Sequence, residues 1–177
     1  MTGSSPTPLP EAWLRGPLPN VAGPLQPAAH ALVQAAEDIA AAATPLTIDE
    51  LWQRPGGAAS AGFHLRHIAG SIDRLLAYAH GNPLSDGQRE ALRSEGVPGD
   101  PRADAASLIL HATAAIEAAL DAIRTTTADA AAEPRTVGRA ALPSTLGGIL
   151  FHIAEHTQRH TGQLITTAKI VRAHERG

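Results

Sequence analysis

The sequence contains no cysteine, which excludes disulfides, thiolate metal sites and a cysteine nucleophile. Aromatic side chains are scarce: two Trp, one Tyr and two Phe in 177 residues, namely Trp13, Trp52, Phe63, Tyr78 and Phe151. Strand propensity is correspondingly thin, and a large aromatic core is not expected. Neither sign of charge dominates, with 14 Lys+Arg against 17 Asp+Glu and a formal net charge of −3. Without a broad basic field there is little to hold a phosphate backbone, so nucleic acid is not expected as a partner. By inspection, no apolar run approaches the roughly 18 to 20 residues needed to span a bilayer, and the first residues lack the basic-then-apolar pattern of a signal peptide. The expectation is a soluble, cytoplasmic protein with no membrane partner.

What is abundant is alanine, at 36 residues, and histidine, at nine. Alanine is the best helix former, and its small side chain lets helices approach closely, so slim, tightly packed helices follow. Seven of the 14 prolines fall within residues 1–27. Proline lacks the N–H that helices and sheets require, so this stretch reads as an extended or disordered arm. From Ala28 to Ala43, Leu32, Val33, Ala36, Ile39, Ala40 and Ala43 recur at helical spacing. Thr47 and Glu50 have capping-box spacing and open a short turn, with Trp52 as its packing plug. Ser60 is placed to cap a second helix that runs to about His80, where Gly81-Asn82-Pro83 stops it. A short surface helix over 86–95 follows. A third long helix, about Asp104 to Thr126, turns Leu108, Ala112, Ala115, Ile116, Ala119 and Ile123 inward. Residues 127–143 read as a connection, and a last helix runs from Pro143-Ser144 to about Ala173. Four long amphipathic helices define an all-α, up-and-down four-helix bundle over residues 28–174, preceded by the Pro-rich arm.

Helical periodicity puts His64, His67, Ile68, Ser71, Ile72, Leu75 and Tyr78 on the inner face of the second helix. On the last helix the inner face carries Thr145, Ile149, His152, Ile153, His156, His160, Gln163, Leu164, Thr167 and Ile170. Unpaired buried polar groups are costly, so five inward histidines require a reason. His156 and His160 are separated by one helical turn and can reach one ion together. His67 can supply a third nitrogen from the facing helix. Three neutral imidazoles suit zinc, nickel, copper or ferrous iron and leave room for water or substrate. The bland reading beside this is a histidine hydrogen-bond network without metal. His64 and His152 are each a pocket-lining base, a partner of a ligand or a satisfied core group. His30, His80, His111 and His174 read as surface or flank residues, His111 lying at the edge of an inner face.

Two motif matches are set aside. His152-Ile-Ala-Glu155-His156 spells the H-x-x-E-H pattern of one class of zinc peptidase, which needs a further downstream ligand. Glu175 is the sole carboxylate after His156. No acidic residue has a histidine three positions later, which removes the di-iron Glu-x-x-His pattern. A stripe of Phe151, Gly162, Ile165 and Lys169 on the back of the last helix is either an exposed flank or a homodimer contact.

The stretches "GFHLRHIAGSIDRLL" at 62–76 and "LFHIAEHTQRHTGQL" at 150–164 resemble the DinB-like superfamily of small metal-binding four-helix bundles. The resemblance covers most of residues 28–172, and its more specific part is His-x3-His followed by x-Gly-Gln. It implies a metal triad at His67, His156 and His160, with zinc or nickel as the divalent ion, and frequent dimers. It further implies transfer of a low-molecular-weight thiol, such as mycothiol, bacillithiol or glutathione, or thiol-assisted isomerisation of maleylpyruvate. The extra histidines His64 and His152 are not fixed by that pattern. The expectation is therefore a metal-dependent thiol S-transferase or hydrolase-like enzyme acting on a small molecule. His64, His152 and Gln163 would line its pocket, with a metal-bound water or thiol, or His152, as the reactive group. The alternative is a non-catalytic bundle that holds a structural metal or carries or senses a small molecule.

Overall fold

In the computed structural model, residues 9–99 and 101–174 are described. The chain forms α1 (Gln26–Ala43), α2 (Ile48–Trp52), α3 (Ala61–Ala79), α4 (Asp86–Ser94) and α5 (Ala105–Thr125). A hairpin of β1 (Pro134–Val137) and β2 (Leu142–Thr145) then precedes the longest helix, α6 (Leu146–His174). Helix starts follow from side chains that satisfy otherwise unpaired N–H groups. Thr47 and Glu50 form a complete capping box on α2, Ser60 accepts from the Phe63 N–H, and Asp104 accepts from the Ser107 N–H.

The long helices pack in the ring order α1, α6, α3, α5. His64 meets His160 while His67 meets His156, so α3 and α6 are antiparallel. The third long helix departs from a strictly alternating order. Residues 80–104 return alongside α3: Gln88 bonds Asp73, Glu95 bonds Arg74 and His67, and Arg66 bonds the Pro98 carbonyl. That return carries the chain back to the starting end of α3, so α5 runs parallel to α3. A 25-residue connection is long enough to span the bundle; the short loops of an alternating bundle are not.

The core is aliphatic, with Leu32, Ile39, Leu65, Ile68, Ile72, Ile116, Ile123 and Leu164 fully buried among alanines. By length and composition alone, α5 is long and apolar enough to cross a membrane, contrary to the impression from inspection. Its alanines raise the mean hydropathy, yet one face packs Leu108, Ala112, Ile116 and Ala119 into the core while Glu117, Asp121 and Arg124 pair on the other.

Three further features differ from the sequence-based picture. The connection at 127–143 contains β1, whose partner β2 takes residues 142–145, so α6 starts at Leu146 instead of Pro143. Arg135 on β1 donates to the Ala79 carbonyl at 2.7 Å, which ties the hairpin to the end of α3. The described part of the Pro-rich arm, from residue 9, is held on α1. Ala12 is buried and its N–H donates to Gln34, while Arg15 pairs with Glu37. Residues 1–8 of the arm lie outside the described residues. The third difference is the inner face of α6. Its buried line is Ile149, Leu150, Ile153, Ala154, Thr157, Thr161, Leu164, Thr167, Ala168 and Val171, whereas Thr145, Gln163 and Ile170 are exposed. Because α6 wedges between α1 and α3, its buried face bisects the two neighbours, and the histidines fall on the side toward α3.

Trp52 is the plug anticipated from sequence. Its Nε1–H donates to the Ala103 carbonyl at 2.9 Å, and the Arg66 guanidinium lies 4.9 Å from the ring centroid. The ring presses on Gly62, where an added Cβ would come within 2.9 Å of three ring atoms. With the indole pinned at both edges, Gly62→Ala is expected to destabilise the fold by about 1–3 kcal/mol through overpacking. Urea denaturation followed by circular dichroism measures this, and an unchanged midpoint would contradict the packing described.

Candidate metal centre

His67 is in the middle of α3, and His156 and His160 are successive inward turns of α6. Each offers one ring nitrogen to a common point, and these three atoms lie within 4.8 Å of one another. His67 Nε2 and His156 Nε2 are 3.0 Å apart. Two ligands of a tetrahedral ion at 2.0–2.1 Å stand about 3.3 Å apart, so this pair is already near ligating separation. The trio singled out by helical spacing is thus brought together. All three rings are half-buried, neither sealed in the core nor free in solvent.

The remaining ring nitrogens determine what the cluster can do. His67 Nδ1 lies 2.7 Å from a Glu95 carboxylate oxygen, and the other Glu95 oxygen accepts from Arg74 at 2.7 Å. Both Glu95 and Arg74 are buried. Since a carboxylate accepts, His67 carries its proton on Nδ1 and turns the Nε2 lone pair toward the cluster. His160 Nδ1 lies 3.1 Å from His64 Nδ1. Donation from His160 to His64 in the same sense frees the other nitrogen of His160. His156 Nδ1 is buried with no hydrogen-bond partner among the described residues. Phe63 stacks on the His67 ring at 5.3 Å and 14°, which fixes its plane.

Burial pushes the His64 pKa down to about 4 and that of His160 to about 3. Burial also lowers His156. These imidazoles are neutral at pH 7, the form in which imidazole ligates metal. Three convergent imidazoles, two of them oriented by a partner, fit a borderline divalent ion and leave coordination positions for other ligands.

The residues expected to line a pocket divide differently. His64 is buried behind His160 and acts as its hydrogen-bond partner. His152 has a side chain 50% exposed, with Nδ1 3.3 Å from Glu155, and its ring centroid lies 5.5 Å from that of His156, at the mouth of the cluster. Gln163 is exposed and lies outside the buried line of α6 for the reason given above. His111 and His80 are exposed, and His30 bonds the Gly16 carbonyl. The side chain of His174 lies outside the described residues.

Sequence reasoning missed Glu95 and Arg74. Glu95 follows a surface helix, so periodicity does not mark it, and Arg74, which lies two helical turns after His67 on α3, was not drawn into the inner face. The signal that was available is Gly70, a glycine inside a helix. A Cβ there would come within 2.5 Å of Glu95 Oε1 and 2.8 Å of Arg74 Nη1, so the missing side chain makes room for the carboxylate.

A bundle that gathers three imidazoles from two antiparallel helices defines a class of small helical histidine-centre proteins. The DinB superfamily model matches residues 31–164, a span that contains all three histidines, and the chain belongs to that family. No curated protein matches the chain.

The lowered pKa values carry a sign. Below about pH 6.5 the unfolded chain binds protons on His64 and His160, whereas the folded chain refuses them until about 4 and 3. Their contribution to stability is therefore full above pH 6.5 and lost progressively as pH falls toward those values. Metal-stripped protein is expected to lose thermal stability between pH 7 and 5.5, a window above ordinary carboxylate titration. A flat melting temperature across that window, followed by differential scanning fluorimetry in chelator, would contradict the burial of neutral imidazoles.

Proposed function

We propose that this DinB-family protein binds one divalent transition metal, zinc or nickel, through His67, His156 and His160. We further propose that it works as a metal-dependent thiol S-transferase or hydrolase-like enzyme on a small molecule. The observation that carries the reading is the convergence of three ring nitrogens within 4.8 Å, with the far nitrogens of His67 and His160 already engaged by Glu95 and His64. A bound ion of this kind lowers the pKa of a coordinated thiol or water, which yields a nucleophile near pH 7. With no cysteine in the sequence, the thiol is an external low-molecular-weight one.

The chain's own residues have separable tasks in this reading. His67, His156 and His160 hold the ion, and Phe63 fixes the plane of His67. His152, half-exposed beside His156 and paired with Glu155, is placed to accept a proton from an incoming thiol or water. The proposal includes a cytoplasmic location, no nucleic-acid or membrane partner, and a homodimer. For the dimer, the support is that Phe151 is 60% exposed on the outer side of α6.

A non-catalytic bundle that holds a structural metal or carries a small molecule is the second reading. It is favoured by a groove of about 650 Å³ between the C-terminal halves of α1 and α6, lined by Ala41, Ala42, Ile165 and Ala168 and by no member of the triad.

Untagged protein purified without chelator is expected to carry about one equivalent of zinc or nickel by elemental mass spectrometry, and His156→Ala is expected to lose it. Wild type that neither carries metal nor takes it up on reconstitution would overturn the metal reading. Metal-loaded protein that transfers none of the three thiols to an electrophile panel would favour the second reading.

A further inference from the structure

Within the centre just described, Glu95 is, among the described residues, the only carboxylate bonded to one of the three converging histidines, and it comes from outside α3 and α6. It follows directly on α4, the short helix in the return segment. Its carboxylate is buried, with one oxygen 2.7 Å from His67 Nδ1 and the other 2.7 Å from Arg74 Nη1. Burying a lone carboxylate is unfavourable unless its oxygens are matched by donors. Arg74 supplies a permanent donor and charge, which leaves the second oxygen to accept a hydrogen bond from the His67 Nδ1–H.

We propose that Glu95 is the positioning residue of the metal site. Held by Arg74, it fixes His67 in the Nδ1–H tautomer, so that the Nε2 lone pair faces His156 and His160. The inference rests on the metal reading above. Neutral imidazole has two tautomers, and only one of them can ligate through the nitrogen that points inward. A carboxylate behind a metal-bound histidine selects that tautomer, stops the ring from turning and makes it a stronger donor, effects worth about 10- to 100-fold in metal affinity.

Two further observations fit a built arrangement. Gly70 leaves the space that Glu95 Oε1 and Arg74 Nη1 occupy; a methyl group there would meet them at 2.5 and 2.8 Å. Gln88, on α4 and seven residues before Glu95, donates to Asp73 at 2.8 Å and anchors the return segment to the same helix. The return segment therefore takes part in assembling the centre, and its docking and metal affinity are thermodynamically linked. Whatever holds Glu95 against His67 favours binding, and binding favours that docking in return.

The test compares wild type, Glu95→Gln and Gly70→Ala. Gln has one acceptor oxygen for two donors, and Gly70→Ala displaces the native carboxylate without altering it. Zinc affinity is measured by competition with a chromophoric chelator, and the His67 tautomer by long-range proton–nitrogen NMR of the metal-free proteins, with circular dichroism as the check on folding. Wild type is expected to show His67 with Nδ1 protonated. Both variants are expected to lose that single tautomer and to bind zinc about 10- to 100-fold more weakly, still at one equivalent. If the variants only melt at lower temperature, with tautomer and affinity per folded molecule unchanged, Glu95 is a structural ion-pair partner and the inference is overturned. Full zinc binding by both variants overturns it alone, whereas absence of zinc from wild type overturns the metal reading and this inference together.

Discussion

Every imidazole brings two nitrogens into a bundle whose other inner surfaces are aliphatic, and each nitrogen needs a partner or a reason to lack one. That requirement organises the centre of this molecule. Burial removes the option of charging His64, His156 and His160, so the rings must arrange neutral donors and acceptors among themselves. The arrangement has a direction. Outer partners, Glu95 for His67 and His64 for His160, take up the outward nitrogens, and the inward ones are left facing each other. Two nitrogens 3.0 Å apart and a third nearby form a hydrogen-bonded cluster only when one carries a proton. A divalent ion satisfies all three at once.

The rest of the fold serves that geometry. α3 and α6 approach closely enough for rings from both to meet, with centroids 4.3 to 5.4 Å apart across the interface. The parallel placement of α3 and α5 requires a long return segment, and that segment delivers Glu95. Trp52, hydrogen-bonded to Ala103 and packed on Gly62, closes the end of the bundle where α2, α3 and the start of α5 come together. The hairpin closes the opposite end through Arg135 and the carbonyl of Ala79.

Much of this could be read from sequence because it depends on local spacing. Caps at Thr47, Ser60 and Asp104 act within three residues, and the pairing of His156 with His160 is a property of one helical turn. What could not be read depends on which helices flank which. The inner face of α6 is set jointly by α1 and α3, so Gln163, which periodicity turns inward, is exposed, while Thr157 and Thr161 are buried. His152 shares the histidine stripe yet lies at the rim for the same reason. Glu95 and Arg74 were invisible because their partnership crosses 21 positions and joins a surface helix to the flank of α3. The β-hairpin escaped notice because its strands are short and contain a proline each, at Pro134 and Pro143.

The account stands on three imidazoles, with His64 and Glu95 as their outer partners and not as ligands. X-ray absorption spectroscopy of the zinc-loaded protein tests this most directly. The account predicts three imidazole nitrogens at about 2.0–2.1 Å with one or two light ligands completing an open shell. A shell of four imidazoles, or one built of carboxylate and water oxygens, would contradict it.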